Sequence, residues 1–480
     1  MRPLRLAWLI SALLLPVLAQ AKWRAGAASV VITPKESIWL AGYGMRTKPS
    51  DGVLQDIYAK ALVLEDETGA RTILVTSDLL GFIKEVSDPI AERVLKKYGI
   101  PRERLALNAS HTHSAPVIGH MLRPSYALTP AQAAVIDKYT TRLEDLVVEV
   151  IGAAIANLAP AEVSFSQGFA GFAVNRRRVG HRDYPGPVDH DVPVLSVRSP
   201  DGALRAVVFG YACHNTVLAD YVINGDWAGF AQEAIEKAHP GATALFVEDC
   251  GADANPLPRR SVDLARMYGQ IMAAAVEEVV RGPMRAQMGP LKAAYELVDI
   301  PFQKPPSRAE FEQRLGDKDV AVQRHARYML SILARDGKLR DRYPYPVQVW
   351  RFGTGLTWII LGGEVVVDYS LRFKKEYGWE DVWVAGYSND VFAYIPSLRV
   401  LKEGGYEGGG AMISYGQPGP FAEPVEEIIA SKVDELVRRT LVGQTPWSAA
   451  GPLAGFSHQS TKADEGVGRG PGGPPHRFNQ

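Results

Sequence analysis

The hydrophobic pattern divides the chain into short apolar runs that alternate with longer amphipathic segments. Apolar runs of about four to eight residues are typical of buried strands, and apolar positions at helical spacing are typical of helices that cover a sheet. The predicted strands are residues 29–32, 59–64, 72–76, 105–107, 161–165, 192–197, 204–213, 244–247, 291–298, 346–351, 356–361 and 382–385. The predicted helices are residues 88–97, 130–158, 226–238, 262–280, 309–334 and 423–440.

Turn residues between neighbouring strands predict three hairpins. The connections are Asp66-Glu-Thr-Gly-Ala70, Ser199-Pro-Asp-Gly202 and Gly353-Thr-Gly355. Four other predicted strands each run into a polar loop that carries glycine or histidine. This arrangement predicts an α/β fold with mixed α+β character: a large layered sheet domain with helices and a site at the C-terminal ends of its strands.

Composition narrows the functional classes. The 480 residues carry 53 basic and 53 acidic side chains. The chain therefore lacks the basic excess that is typical of nucleic-acid-binding proteins. The hydrophobic share of 46% is typical of a globular protein with a full core. At this length, the chain is expected to form two lobes or one large α/β unit.

The two ends differ from the rest of the chain. Arg2 and Arg5 precede an apolar run at residues 6–15, and Ala19-Gln20-Ala21 offers a cleavage site, as in a secretory signal peptide. An uncleaved membrane anchor is the alternative. The predicted organisation is a signal peptide at residues 1–21, a globular domain at 22–443 and a disordered Gly/Pro-rich tail at 444–480, in a secreted or periplasmic protein.

The most informative stretch is Asn108-Ala-Ser-His-Thr-His-Ser-Ala-Pro116, which follows a predicted strand. Two imidazoles two residues apart past a strand end can enter one cleft, and neutral imidazole is a preferred zinc ligand. The alternative is that one histidine caps a loop and the other is solvated. His214 follows another apolar strand, so it is either a satisfied core histidine or a metal ligand.

Other polar residues near strand ends have structural alternatives. Asp78 is either a site residue or a turn and helix-capping residue, and Asp226 is placed to cap a helix. The glycines before Glu364 let the backbone approach another group closely, although Glu364 could instead open the next helix. Cys213 and Cys250 form either one disulfide or two buried thiols. Residues 404–410 are predicted to form a flexible loop.

These pieces, in this order, resemble the neutral/alkaline non-lysosomal ceramidases. Their signature reads Thr-His-Thr-His-Ser-Gly-Pro, to which residues 108–116 are similar. An Asn-Arg segment, a later histidine after a strand, a Gly-Asp helix start, a Gly-Glu after a hairpin and two loop tyrosines follow in the family's order. The resemblance covers residues 22–442 and implies that the domain at 22–443 is a ceramidase-like catalytic domain.

The resemblance implies one Zn²⁺ held by two histidines, a glutamate and a tyrosine. The matching ligands are His111, His214, Glu364 and Tyr394.

The resemblance also implies residues that act on the substrate. Arg176 matches the arginine on the substrate side, and Tyr406 matches a second tyrosine directed at the metal site. His113 is the neighbouring imidazole, placed to carry a proton or to donate a hydrogen bond. From the residues alone, Asp253 is a candidate proton shuttle in the carboxylate-rich loop.

The chain departs from the family pattern at one loop. Ceramidases carry Gly-Asp-Val-Ser-Pro-Asn there, with a serine next to the zinc, whereas Gly251-Ala-Asp-Ala-Asn-Pro256 has no serine. Asp253 or Ala254 occupies its place. A C-terminal immunoglobulin-like domain is also not expected after the tail.

The expected function is a secreted zinc-dependent hydrolase that cleaves an N-acyl amide bond by metal-activated water, with peripheral contact with membranes that present the lipid. The expected partner is a small-molecule or lipid N-acyl substrate. Two alternatives remain: a zinc esterase or amidase acting on substrates other than sphingolipids, and a degenerate member that binds a ligand without catalysis.

Overall fold

A computed structural model describes residues 23–180 and 185–441. The predicted signal peptide and tail lie outside the described residues. The strands are β1 (Trp23–Val31), β2 (Gly52–Val53), β3 (Tyr58–Glu65), β4 (Arg71–Ser77), β5 (Leu105–Ala109), β6 (Ala159–Phe169), β7 (Ala173–Asn175), β8 (Asp191–Arg198), β9 (Leu204–Tyr211), β10 (Val222–Ile223), β11 (Thr243–Glu248), β12 (Ala254–Pro256), β13 (Arg285–Ala286), β14 (Leu291–Pro301), β15 (Arg342–Phe352), β16 (Thr357–Leu361), β17 (Glu364–Val365), β18 (Val382–Ala385) and β19 (Tyr394–Ile395).

The α-helices lie between these strands and at the end of the described chain. They are α1 (Lys84–Tyr98), α2 (Pro130–Ala156), α3 (Asp226–Ala238), α4 (Val262–Arg281), α5 (Arg308–Arg314), α6 (Val320–Asp336), α7 (Val367–Tyr377), α8 (Leu398–Glu403), α9 (Met412–Tyr415) and α10 (Val425–Leu441). Among the described residues, no helix is both long enough and apolar enough to cross a bilayer.

Two sheets pack face to face. The larger sheet has the order β11-β9-β8-β6-β1-β3-β4-β5, with β13 beside β6, and the smaller has the order β14-β15-β16-β18. Aromatic side chains join them: Trp358 of β16 stacks on Trp383 of β18 at 4.1 Å, and Trp383 stacks on Phe165 of the larger sheet at 6.1 Å. Both sheets are therefore buried on this inner face.

Helices cover the outer faces of both sheets. On the larger sheet, α1 and α2 share one core with β3 and β4, and α3 and α4 share another with β8 and β9. On the smaller sheet, α7 and α10 pack against β15 and β16. The result is a helix–sheet–sheet–helix sandwich, which confirms the predicted layered α/β class.

Two local predictions were wrong. The predicted helix over residues 309–334 is two helices, because Ser307 caps α5 and Asp319 caps α6 as separate starts. Residues 404–410 were predicted to be a flexible loop. Instead, Tyr406–Gly410 forms a helical turn in which Glu407 is buried, and this turn contacts the site described below.

Asn108 ties three strand ends together. Its Nδ2 donates to the carbonyl of Gly386 at 2.9 Å and to that of Glu248 at 3.3 Å, and its Oδ1 accepts from the Glu248 amide at 3.0 Å. It therefore joins the ends of β5 and β11, in the larger sheet, to the residue that follows β18 in the smaller one. The two sheets are held in register at the edge that carries the site.

We expect Asn108→Ala to lower the free energy of unfolding by about 2–4 kcal/mol, because it leaves several buried polar groups without partners. Asn157→Ala is the control, since Asn157 is exposed and makes one side-chain bond to the Ala27 carbonyl. Urea unfolding measures both variants. Equal losses in the two would contradict the role assigned to Asn108.

Candidate metal centre

His111 lies two residues beyond the end of β5. Its backbone has a φ of 61°, a left-handed conformation that is uncommon outside glycine and turns the chain sharply past the strand. Its Nδ1 lies 2.6 Å from the carbonyl oxygen of Leu80. Because a carbonyl only accepts hydrogen bonds, Nδ1 carries the proton and Nε2 presents a lone pair.

His214 lies three residues beyond the end of β9, and a backbone carbonyl orients its imidazole as in His111. Its Nδ1 donates to the carbonyl of Gly251 at 2.8 Å, so its Nε2 also presents a lone pair. Burial lowers the pKa of His214 to about 4, and the nearby Arg176 guanidinium adds to this effect. The imidazole is therefore neutral near pH 7, the form that binds metals.

Glu364 completes the convergence from the smaller sheet. Its Oε2 lies 3.2 Å from the Nε2 of His111 and 3.2 Å from the Nε2 of His214. Oε2 has no hydrogen-bond donor in the described part of the chain, while Oε1 accepts from the Tyr415 hydroxyl.

The glycine before Glu364 makes this placement possible. Gly363 has a φ of 73°, and a Cβ there would lie 2.5 Å from the Ile395 side chain and 2.9 Å from the Ala393 carbonyl. The predicted close backbone approach before Glu364 is confirmed. It brings β17 beside β19, where Glu364 pairs in register with Tyr394.

Three buried acceptor atoms therefore meet at this point. Neither histidine Nε2 carries a proton, and each lies within hydrogen-bonding distance of Glu364 Oε2. Such a group is unfavourable alone, because Glu364 Oε2 has no donor among the described residues and the two nitrogens beside it present lone pairs. A cation removes this conflict. Two imidazole nitrogens and one carboxylate oxygen are a donor set that suits zinc, and the carbonyls that hold both Nδ1 atoms act as outer-shell partners.

Tyr394 and Arg176 border the same point. The Tyr394 hydroxyl lies 3.3 Å from the Nε2 of His214, and it accepts a hydrogen bond from Arg176 Nη2 at 2.9 Å. Arg176 Nη1 is also 3.3 Å from the His214 nitrogen. The structure thus brings together all four residues matched to zinc ligands, with Arg176 beside them.

His113 also borders the centre, next to His111. Its Nε2 lies 3.2 Å from the Nε2 of His111, and the ligand atoms of His111, His113 and His214 all fall within 4.8 Å of one another. Its ring packs against Tyr43 at 4.7 Å. A Cβ on Gly42 would lie 2.4 Å from the ring, so Gly42 leaves room for it. Burial lowers the pKa of His113 well below its usual value.

The two remaining predicted site residues lie at different depths. Tyr406 is 49% exposed, and its ring meets that of Tyr394 at 5.2 Å, so it borders the entrance to the centre. Asp253 is fully buried, and its carboxylate accepts hydrogen bonds from the amide of Val367 and the side chain of Asn175, both at 2.9 Å. The structure does not join Asp253 to the histidine cluster.

The three consecutive arginines bind one short segment. Glu407 accepts from Arg176 at 2.6 Å and from Arg177 at 2.7 Å, and Arg178 pairs with Glu403. The solvated basic face, which is the usual interpretation of such a run, is not what the structure shows. These ion pairs hold the 403–407 segment against the site.

Sequence reasoning missed Tyr415 and Glu407. Tyr415 orients the carboxylate of Glu364, and Glu407 orients Arg176. Neither had a usable signal, because each lies in a Gly-rich region and acts on a partner more than 50 residues away along the chain.

Asp78 and Asp226, for which the sequence left alternatives open, make structural contacts. Asp78 accepts from the Tyr58 amide and from Gln232, and Asp226 accepts from the amides of Val217, Leu218 and Trp227 at the start of α3. The two cysteines are buried free thiols.

A family model described as neutral/alkaline non-lysosomal ceramidase, N-terminal, matches residues 23–274, slightly more than half of the chain. The chain belongs to this family. The matched region includes His111, His113, Arg176 and His214, whereas Glu364 and Tyr394 lie beyond it.

Curated relatives and solved structures agree with the ceramidase family. The neutral ceramidase of Mycobacterium tuberculosis is 28% identical over 229 residues, 43% of this chain and 34% of that protein. The neutral ceramidase of Pseudomonas aeruginosa is 25% identical over 319 residues, 60% of this chain and 46% of that protein. The matches thus span less than half the length of these curated relatives.

A crystal structure of the neutral ceramidase from Pseudomonas aeruginosa has the same fold. It superposes with a TM-score of 0.69 at 20% identity, covering 88% of this chain and 75% of that one. A second structure, described as ceramidase complexed with C2, superposes with a TM-score of 0.68.

We expect Glu407→Gln to lower the free energy of unfolding by about 3 kcal/mol, since it leaves two arginines at the site without their shared buried carboxylate. Asp336→Asn is the control, because the Arg335–Asp336 pair is exposed and we expect no measurable change in stability. Chemical denaturation measures both. A loss for Glu407→Gln no larger than the control would show that the pairing is not structural.

Proposed function

We propose that this protein is a zinc-dependent hydrolase that cleaves an N-acyl amide bond, as in ceramide. The observation that carries the proposal is the convergence of His111 Nε2, His214 Nε2 and Glu364 Oε2 at 3.2 Å, with Tyr394 beside them. The relatives that the chain resembles are neutral ceramidases, which supports the choice of an amide bond.

His111, His214, Glu364 and Tyr394 would hold the zinc. When bound, zinc makes hydroxide available near pH 7 and polarises a carbonyl oxygen. Amide hydrolysis adds the oxygen of water to the carbonyl carbon, breaks the C–N bond and delivers a proton to the leaving nitrogen.

Arg176 and His113 supply the remaining chemistry in this proposal. Arg176 is oriented by Glu407 and Tyr394, so its guanidinium is fixed where negative charge develops on the carbonyl oxygen. His113 is neutral near pH 7 and lies beside the centre, next to His111. There it can donate a hydrogen bond to the carbonyl oxygen of the substrate or pass a proton to its leaving nitrogen.

Asp253 has a positioning role in this proposal. Its backbone carbonyl accepts from the Arg176 amide at 2.7 Å, and its carboxylate holds Asn175, the residue before Arg176. It therefore sets the position of Arg176 through the backbone. It does not shuttle a proton, because both its oxygens are already engaged by other groups.

A second candidate is an amidase or esterase acting on substrates other than sphingolipids. Two observations favour it: the family serine is absent from Gly251-Ala-Asp-Ala-Asn-Pro256, and three arginines line the cavity at the entrance.

Export from the cytoplasm belongs to the same proposal. Arg2, Arg5, the apolar run at 6–15 and Ala19-Gln20-Ala21 have the pattern of a cleavable signal. N-terminal sequencing of the secreted protein should begin at Lys22. Recovery of the intact chain from the cytoplasm alone would contradict export.

The direct test is hydrolysis of a fluorescent N-acyl sphingosine, compared with its ester analogue and with a short N-acyl amine. We expect amide cleavage that is lost on chelation and restored by zinc. Ester cleavage without amide cleavage would favour the second candidate. No cleavage of any of the three by zinc-loaded protein would contradict the hydrolase proposal.

We expect His113→Gln to lower kcat by about 10²- to 10⁴-fold while zinc content is retained, because His113 acts on the substrate and not as a required ligand. His120→Gln is the control, since His120 is exposed and pairs with Glu85 at the surface. Steady-state kinetics and metal analysis are measured together. Loss of zinc in His113→Gln, or full activity with zinc present, would remove this role.

A further inference from the structure

A cavity of about 470 Å³ opens beside the metal centre, and its charged lining is unbalanced. It is bounded by Arg176, Arg177, Val179, Asn255, Leu257, Arg259, Tyr406 and Glu407. Three of these side chains are cationic and one is anionic. Glu407 is shared between Arg176 and Arg177, so the lining carries a net positive charge near neutral pH.

Arg259 lines this cavity beside the two paired arginines. Within residues 23–180 and 185–441, its guanidinium makes no hydrogen bond or ion pair, although the side chain is half-buried. Burial and the neighbouring Arg260 lower the pKa of Arg259, and Arg176 adds to this effect. A partly buried cation among other cations is unfavourable unless an anion joins it.

The backbone holds Arg259 close to the reacting centre. It follows β12, which pairs with β7 so that Ala254 lies opposite Asn175, the residue before Arg176. The next residue, Arg260, has a φ of 88°, a strained conformation for a residue other than glycine. Arg260 is anchored by donating from Nη1 to the Tyr43 hydroxyl at 3.1 Å, and Tyr43 packs against His113.

Other arginines near this loop are already satisfied. Arg176 is held by Glu407 and Tyr394, Arg177 by Glu403 and Glu407, and buried Arg46 donates to the carbonyls of Ala41 and Asp220. Arg259 is therefore the guanidinium left available to a ligand that enters the cavity.

We infer that Arg259 binds an anionic group of the substrate, next to the scissile amide, and so selects anionic N-acyl compounds over neutral ones. The planar guanidinium matches a carboxylate or a phosphate, and both share the required oxyanion chemistry. This inference rests on the proposed function and names its substrate class: an N-acyl amine whose amine part carries a carboxylate or phosphate.

The experiment compares N-lauroylglycine with N-lauroylethanolamine, which differ only in a carboxylate in place of a hydroxymethyl group. The phosphate ester of N-lauroylethanolamine distinguishes phosphate from carboxylate. The measured quantity is the ratio of kcat/KM for each anion to kcat/KM for the neutral compound, in the zinc-loaded protein. We expect a ratio of at least about 10 for one of the anions, falling as salt concentration rises.

Arg259→Gln should lower this ratio by about 10- to 100-fold, the effect of removing one charge-assisted contact. Arg259→Lys keeps the charge but lacks the planar guanidinium, so its ratio should lie between those of wild type and Arg259→Gln. Arg335→Gln is the matched control, because Arg335 lies on α6 with its side chain 73% exposed, and its ratio should not change. A wild-type ratio near one, or an unchanged ratio in Arg259→Gln, would overturn the inference.

Binding separates this inference from the hydrolase proposal. Calorimetric titration of N-lauroylglycine and N-lauroylethanolamine into metal-depleted protein needs no turnover. Tighter binding of the anion by wild type, lost in Arg259→Gln, would support the role of Arg259 even if no amide were cleaved. Equal affinities for the two compounds would contradict that role even if both were hydrolysed.

Discussion

The site depends on one electrostatic constraint: three buried acceptor atoms meet with neither imidazole Nε2 carrying a proton. The carbonyls of Leu80 and Gly251 hold the protons of the two imidazoles on their Nδ1 atoms, which directs both Nε2 lone pairs at the carboxylate of Glu364. Packing alone does not favour this arrangement, because Glu364 Oε2 has lost water without gaining a donor among the described residues. The arrangement is favourable when a cation is present.

The two-sheet architecture explains how residues far apart in the chain reach this point. His111 and His214 follow strands of the larger sheet, whereas Glu364 and Tyr394 belong to the segments that follow β16 and β18 of the smaller one. Asn108 joins the two sets of strand ends by hydrogen bonds. Packing of Trp358 and Trp383 between the sheets fixes their separation, so the ligand geometry is a property of the whole sandwich.

Local patterns in the sequence predicted most of the fold. Apolar runs identified the main strands, and turn residues such as Asp66 to Ala70 identified the hairpins, because both signals lie within a few residues of each other. The resemblance to ceramidases identified Glu364 and Tyr394, which the structure brings to His214. The family match confirms the resemblance itself, while the ligand roles remain predictions.

The sequence could not predict contacts between residues that lie far apart along the chain. Nothing near Arg176 to Arg178 in the sequence indicates that Glu403 and Glu407 will neutralise them. Nor does anything near Asp253 indicate that its carboxylate is engaged by Val367 and Asn175. For the same reason, it takes the three-dimensional surroundings of Arg259 to show that no described residue pairs with it.

The measurement that tests this account most directly is the zinc content of the purified protein, by elemental mass spectrometry, for wild type, His111→Ala, His214→Ala and Glu364→Gln. The account predicts one zinc per chain in wild type. Because each variant removes one of the three converging acceptors, it predicts marked loss of zinc in all three. No zinc in wild type after incubation with excess metal, or full zinc in all three variants, would contradict it.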